Sequence, residues 1–350
     1  MRVAFSVVSL KTNPYISLLL SSLEQQGVEV KKLKLWDVLR KKVDVIHVHW
    51  PEHYLRKLTK LAHIKLLVKF VLTMFFARLR GVPVLWTVHN VWPHESPVSY
   101  GVLKCFLRFW ISCVDGCIYM TRQTESEAKR FYPRLASLPG ARIHHGDYRA
   151  VLDSISKSEA RHCMGLPDGA FVISHCGILK EYKNTVELVQ AFRQIQDPNL
   201  RLIIGGACKD DGLLAGVLAA VSCDQRILFD NRLLSDREMQ MYVAASDLVA
   251  LPYKEVTNSG VALYALSVGR PILGPKMGAF VDLKELLPDW LLLYSGEFNG
   301  VALGMAIEEV SNRNFVEGPD LSDFSWSVIA EQTAEFYGSF LSTSDDMKKK

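Results

Sequence analysis

Two turns carry the chemistry of this chain. Gly177-Ile178-Leu179-Lys180-Glu181-Tyr182-Lys183-Asn184 follows the apolar run Ala170–Ser174, and Leu251-Pro252-Tyr253-Lys254-Glu255-Val256-Thr257-Asn258-Ser259-Gly260 follows Leu248–Leu251. Each turn leads into a helical pattern. Turns of this kind, at one edge of a parallel sheet, leave helix N–H groups unpaired at the positive end of the helix dipole, where an anion is favoured. With the ammonium groups of Lys180 and Lys183 added, they are suited to a diphosphate, and a nucleotide sugar is the expected occupant. Lys183 would neutralise a donor phosphate and the charge of the departing nucleoside diphosphate; the alternative is a solvated turn lysine. Asn258 or Ser259 can cap the helix Val261–Val268 while Gly260 admits a close backbone approach, with or without a ligand. Tyr253 and Lys254 share that turn. Asn231 and Arg232, ahead of the helix Asp236–Ala245, can touch the base or form an ordinary loop.

The elements that must position these residues alternate along the chain. The first half reads as strands Val3–Val8, Val28–Leu33, Val43–Val48, Pro83–Val88 and Gly116–Met120, with helices near Tyr15–Gln26, Leu55–Leu79 and Val102–Ile111. Near-continuous Val, Ile and Leu strands between amphipathic helices indicate a parallel sheet covered on both faces. After Ile143–Tyr148 the pattern restarts, with strands Ala170–His175, Leu200–Ile204, Ile227–Phe229, Leu248–Leu251 and Pro271–Leu273 and helices Thr185–Ile195, Asp236–Ala245 and Gly260–Val268. The expected division is 1–150, a basic Rossmann-like domain; 151–320, a second Rossmann-like domain that holds the donor; 321–343, a helix returning to the first domain; and 344–350, a disordered tail. A length of 350 residues agrees with two cores.

Charge separates the halves. Residues 1–150 hold 23 Lys+Arg against 10 Asp+Glu, and the remainder 18 against 27. A basic half can attract nucleic acid, an anionic substrate or an anionic membrane. No nucleic-acid recognition word accompanies it, so no nucleic-acid partner is expected. Its lysines interleave with apolar residues at Lys57–Phe76 and in Leu103–Trp110, too briefly for a spanning helix. Two readings stand: a helix lying in the bilayer interface with snorkelling lysines, or a core-facing helix with a solvated basic edge. Met1–Leu10 lacks a signal cleavage site and reads as a first strand, so a cytoplasmic location is expected. Seven scattered cysteines without a CxxC pair argue against disulfides and structural zinc. His47 and His49 share one strand face, yet no carboxylate or cysteine completes a ligand set, and no metal is expected.

At these residues the chain resembles the GT-B glycosyltransferases, whose two Rossmann-like domains face each other across a cleft. More narrowly it is similar to the GumI type of xanthan β-mannosyltransferase, glycosyltransferase family 94. The words that carry the likeness are Thr12-Asn13-Pro14-Tyr15, His47-Val48-His49-Trp50-Pro51-Glu52, Thr87-Val88-His89-Asn90 with Pro93-His94-Glu95, His145-Gly146 with Tyr148-Arg149, the Tyr182-Lys183 turn, Gln196-Asp197-Pro198, Leu251–Lys254 with Asn258-Ser259-Gly260, and Tyr294 with Gly296-Glu297-Phe298. The resemblance implies metal-independent, inverting transfer of mannose from GDP-mannose to a polyprenyl-diphosphate-linked oligosaccharide. It places the enzyme in exopolysaccharide assembly on the cytoplasmic face of the inner membrane, with no bound cofactor. A UDP-sugar donor, or a nucleotide-sugar epimerase of the same fold, is the alternative. The chain departs from the retaining GT-B pattern: Val256 and Tyr264 stand where two glutamates would lie, and Ile178 where an arginine is common.

An inverting transfer needs a base for the acceptor hydroxyl. Glu95 and Glu52 each follow a first-half strand and are the candidates, with His89 positioning the sugar or assisting. Acceptor contacts are expected from Asn13, His49, Trp50, His94, Tyr148 and Arg149.

Overall fold

The computed structural model describes residues 1–7, 14–55, 61–92, 98–222, 224–256, 258–313, 315 and 317–346. The chain forms two compact units, Met1–Gly146 with Ser322–Lys350, and Asp147–Leu321.

The first unit runs β1 (Arg2–Phe5), α1 (Tyr15–Gln25), β2 (Glu29–Lys32), α2 (Leu35–Leu39), β3 (Val45–Val48), a 3-10 turn Pro51–Leu55, α3 (Leu61–Arg80), β4 (Val84–Val88), α4 (Tyr100–Cys113), β5 (Gly116–Tyr119), α5 (Arg122–Phe131) and β6 (Gly140–Arg142). All strands are parallel in the order β2-β1-β3-β4-β5-β6. Every residue of β3, β4 and β5 is buried, as a sheet covered on both faces requires. The edge strand β2, Glu-Val-Lys-Lys, keeps its charges in solvent, which discourages pairing with another chain. Leu55, where the helix was expected to begin, closes a 3-10 turn, and α3 is described over Leu61–Arg80.

The second unit runs α6 (Lys157–Cys163), β7 (Phe171–Cys176), α7 (Thr185–Arg193), β8 (Leu200–Gly205), α8 (Asp211–Val221), β9 (Ile227–Asp230), α9 (Asp236–Ala245), β10 (Leu248–Ala250), α10 (Gly260–Ser267), β11 (Ile272–Pro275), α11 (Ala279–Leu286), β12 (Leu291–Tyr294) and α12 (Gly300–Ser311). Its parallel sheet has the order β12-β11-β10-β7-β8-β9. The last helix, α13 (Trp326–Asp346), belongs to the first unit, where Trp326, Ile329, Ala330 and Tyr337 join the core of Phe5, Ile16, Leu19 and Leu23. It continues through Asp346, three residues into the segment read from sequence as a disordered tail.

In both sheets the order in which strands are added reverses once, between β1 and β3 and between β7 and β10. In open parallel sheets ligands bind outside the carboxyl ends of the strands at such a switch point. The fold thus marks one locus in each unit.

Candidate functional site

In the second unit the switch point gathers both turns. β7 ends at Cys176, and Gly177 leaves it at φ +102°; a Cβ there would stand 3.1 Å from the Lys183 Nζ and 3.6 Å from Val261 in the first turn of α10. The loops after β7 and β10 therefore converge. Lys183 is buried at 6% exposure, its ammonium 5.8 Å from the centroid of the Tyr253 ring, and no carboxylate pairs with it among the described residues. Desolvation, with a smaller push from Lys180, lowers its pKa to about 8 despite the opposing effect of Cys176. An unpaired ammonium held in a dry turn is an unsatisfied cation, and an anion is its natural partner.

The surroundings hold that turn rigidly. Asn184 adopts the left-handed conformation, φ 61°, and opens α7; its Oδ1 is buried without a hydrogen-bond partner. His175 donates from Nδ1 to the Ala250 carbonyl at 2.8 Å and accepts at Nε2 from the Thr185 hydroxyl at 3.1 Å. It so ties β7 to the end of β10 and the start of α7. Ser259 caps α10 by accepting from the Ala262 N–H at 3.2 Å. The free N-terminal N–H groups of α7 and α10 thus lie in the same pair of turns as the Lys183 ammonium.

Backbone contact makes this possible. Gly206, at φ +151°, leaves no room for a side chain, since a Cβ would fall 2.1 Å from the Gly177 carbonyl oxygen. Gly206→Ala is expected to destabilise the second unit by about 2 kcal/mol or more through forced backbone movement. A denaturant midpoint unchanged from the parent would refute the close approach.

The other expected donor residues stand apart. Asn231 and Arg232 follow β9, two strands and roughly 10 Å from β7 in the sheet direction. The Asn231 Oδ1 accepts from the Cys208 N–H at 2.8 Å, and Arg232 pairs with Asp230 at 2.9 Å and Glu238 at 2.7 Å. The Asn231 side-chain oxygen and the Arg232 guanidinium thus serve local structure. Lys254 is exposed and pairs with Glu187 at 3.1 Å, although its backbone N–H bonds the Tyr182 carbonyl at 2.7 Å and clasps the two turns together. Lys180 is half-buried just ahead of the 3-10 turn that carries Lys183.

Tyr148 and Arg149, expected on the acceptor side, belong to the second unit instead. A Cβ on Gly260 would meet the Tyr148 hydroxyl at 3.0 Å, so this ring faces the capped turn of α10. Arg149 pairs with buried Asp147 at 2.5 Å and donates to the Leu321 carbonyl at 2.9 Å, which leaves it structural. No local pattern distinguishes a chain that has just crossed from one sheet to the next.

In the first unit the switch point is an aromatic and imidazole cluster. His47 bonds Tyr337 at 2.6 Å through Nδ1 and Thr87 at 2.7 Å through Nε2, so both nitrogens are engaged and the ring is a core brace. His49 Nδ1 lies 3.0 Å from His89 Nε2, and the ring of His89 stacks on Trp50 with centroids 4.1 Å apart. The Nε2 of His49 is buried and has no hydrogen-bond partner among the described residues. Tyr15 and His145 complete the group, with ring centroids 4.7 Å apart. Glu52 sits half-buried in the 3-10 turn after β3, close enough to Tyr132 for its charge to add to the burial that raises that phenol to about 12. Asn13, His94 and Glu95 lie outside the described residues.

Burial makes these imidazoles neutral. It lowers His47 to about 3 and His145 to about 4, and holds His49 and His89 well below the ordinary range, where the neighbouring imidazoles reinforce it. Unfolded histidine takes a proton near pH 6.5 while these do not, so stability complete above 6.5 is lost as pH falls below it. Each contributes about 1.4 kcal/mol per pH unit. The thermal midpoint is expected to drop steeply from pH 6.5 to 5; a flat profile there would contradict the buried cluster.

Sequence and structure comparisons identify the family and the fold. The profile of the family described as glycosyl transferases group 1 matches residues 170–294, which span both turns. The GDP-mannose:glycolipid 4-beta-D-mannosyltransferase of Xanthomonas campestris pv. campestris is 30% identical over 323 residues, 91% of this chain and 86% of the relative. Among solved structures, the sucrose-phosphate synthase of Thermosynechococcus elongatus has a TM-score of 0.67 at 16% identity, covering 98% of this chain and 99% of that one. The Anabaena protein Alr3699/HepE, solved with UDP-glucose, has a TM-score of 0.63 at 15% identity, covering 99% and 100%.

Proposed function

Because the chain belongs to the GT-B glycosyltransferases, in the family of the xanthan-type β-mannosyltransferase, we propose that it moves mannose from GDP-mannose onto a polyprenyl-diphosphate-linked oligosaccharide with inversion at the anomeric carbon. The observation that carries the reading is Lys183: a buried ammonium without a carboxylate, at the switch point and beside two helix N-termini. The diphosphate of a nucleotide sugar would supply the missing negative charge.

In the transfer, an acceptor oxygen forms a bond to the anomeric carbon as the bond from that carbon to the β-phosphate oxygen breaks. The electron pair leaves with GDP, and the acceptor proton passes to a carboxylate. Lys183 and the N–H groups of α7 and α10 stabilise the charge that grows on the leaving diphosphate. Glu52 or Glu95 takes the proton. The acceptor sugar rests on the first unit's cluster around Trp50 and His89, whose rings stack with centroids 4.1 Å apart.

Anionic membrane contact through the first unit accords with an acceptor carried on lipid. α3 exposes Phe75 and Leu79, and α4 exposes Tyr100 and Val102 beside Lys104. No helix among the described residues is long and apolar enough to cross a membrane. We place this reaction at the cytoplasmic membrane face, in exopolysaccharide assembly, without a bound metal.

Incubation with radiolabelled GDP-mannose and a bacterial lipid extract should yield a labelled lipid-linked product. Transfer only from a UDP-sugar would overturn the donor assignment, and conversion of the nucleotide sugar without acceptor would make the chain an epimerase. Saturating GDP should stabilise the second unit by roughly 2.7 kcal/mol at 100 times its dissociation constant.

A further inference from the structure

Between α2 and α3 the first unit carries a groove of about 340 Å³, lined by Leu35, Trp36, Ile64, Val68 and Leu72 with Lys65 and Lys69 on its wall. That size falls within the range of small-ligand sites, roughly 300–1,000 Å³. The lining is apolar yet exposed: Trp36 retains 65% of its surface, Val68 51%, Ile64 44% and Leu72 41%. Helix geometry explains the arrangement. Ile64, Val68 and Leu72 recur every fourth residue and form one ridge, while Lys65 and Lys69 form the adjacent ridge one residue on. Neither lysine has a carboxylate partner among the described residues. Arg40 lies 5.9 Å from the Trp36 ring centroid and adds a third cation.

Topology puts the groove where it matters. α2 begins three residues after β2 ends, and α3 runs back antiparallel to the strands after β3. The start of α2 and the first half of α3 therefore stand at the carboxyl end of the sheet, the end that carries His49, Trp50 and Glu52. An apolar trough flanked by three cations at that end fits an amphiphile with an anionic head and a linear apolar tail.

We propose that this groove seats the acceptor's carrier, with the first isoprene units against Trp36, Ile64, Val68 and Leu72 and the diphosphate beside Lys65, Lys69 and Arg40. The inference rests on the lipid-linked acceptor proposed above and gives that acceptor a binding site. The apolar ridge continues to Phe75 and Leu79, so the remainder of the chain can follow α3 toward the bilayer.

The test uses farnesyl diphosphate carrying a benzophenone at its last isoprene, with the full-length protein and no nucleotide sugar. Photolabelling should fall on Trp36 or between Ile64 and Leu72. Farnesyl diphosphate should compete, farnesol about 10-fold less well, and inorganic diphosphate not at all. Val68→Glu should cut labelling about 10-fold and leave sedimentation with phosphatidylglycerol vesicles unchanged, whereas Leu79→Glu should do the reverse. The double variant Lys65→Ala/Lys69→Ala should bring farnesyl diphosphate down to the affinity of farnesol. Labelling elsewhere overturns the proposal. So does a parallel loss of labelling and vesicle binding in Val68→Glu and Leu79→Glu, which would make the ridge a plain membrane face. These side chains are exposed, and an unfolding midpoint equal to the parent's confirms that each variant is folded. Because labelling needs no donor, a protein that labels but transfers no mannose would refute the proposed reaction alone. One that transfers mannose but does not label would refute the groove alone.

Discussion

Lys183→Ala should lower kcat by about 10²- to 10³-fold, the loss seen when one preorganised group that stabilises transition-state charge is removed. The same side chain should oppose stability when no donor is bound. Its pKa, depressed to about 8 from the usual 10.5, means that the folded state holds this proton less tightly than the unfolded chain. Between pH 8 and 10.5 the unfolded chain binds more protons, so stability rises with pH across that window; below 8 the cost is constant and on the order of 3 kcal/mol. Lys183→Met should therefore raise the thermal midpoint of the free protein at pH 7 while abolishing the stabilisation by GDP. Donor binding should also restore the proton. Near pH 8.5 a bound diphosphate would drive proton uptake, visible as a binding heat that changes with the ionisation enthalpy of the buffer. Full activity in Lys183→Ala, or a buffer-independent heat, would remove Lys183 from the phosphate site.

Of Glu52→Gln and Glu95→Gln, one should lose about 10²- to 10⁴-fold in kcat with little change in donor KM, and that residue is the base. Three of the described histidines of the first unit are constrained by their surroundings. His47 is fully buried with both nitrogens engaged, His49 is 1% exposed, and the Nε2 of His89 is tied to His49. Glu52 is half-buried at the carboxyl end of β3, beside Tyr132. The pH profile supplies a second reading: the acidic limb of kcat/KM should vanish in the variant that has lost its base. Equal and modest losses in both variants would argue against base catalysis by either carboxylate.

The two α/β units and the two turns of the second were legible in the amino-acid sequence because those signals are local. A buried parallel strand must be a continuous run of Val, Ile and Leu, and a helix that begins after it needs a cap such as Ser259 and a residue such as Gly260 that admits close approach. Elements without that contrast were not legible. α5 buries only Thr124 and Ala128, and α8 is apolar almost all round with Val217 alone fully buried, so neither has an apolar stripe to read. Strand order, burial and pairing belong to the tertiary structure. It set Tyr148 over Gly260, confined Arg149, Arg232 and Lys254 to ion pairs, and stripped water from Lys183 and from four imidazoles. The reason is physical: residue type determines what a side chain can do, whereas its solvation and partners come from segments far away in the chain that the crossovers of each sheet bring beside it.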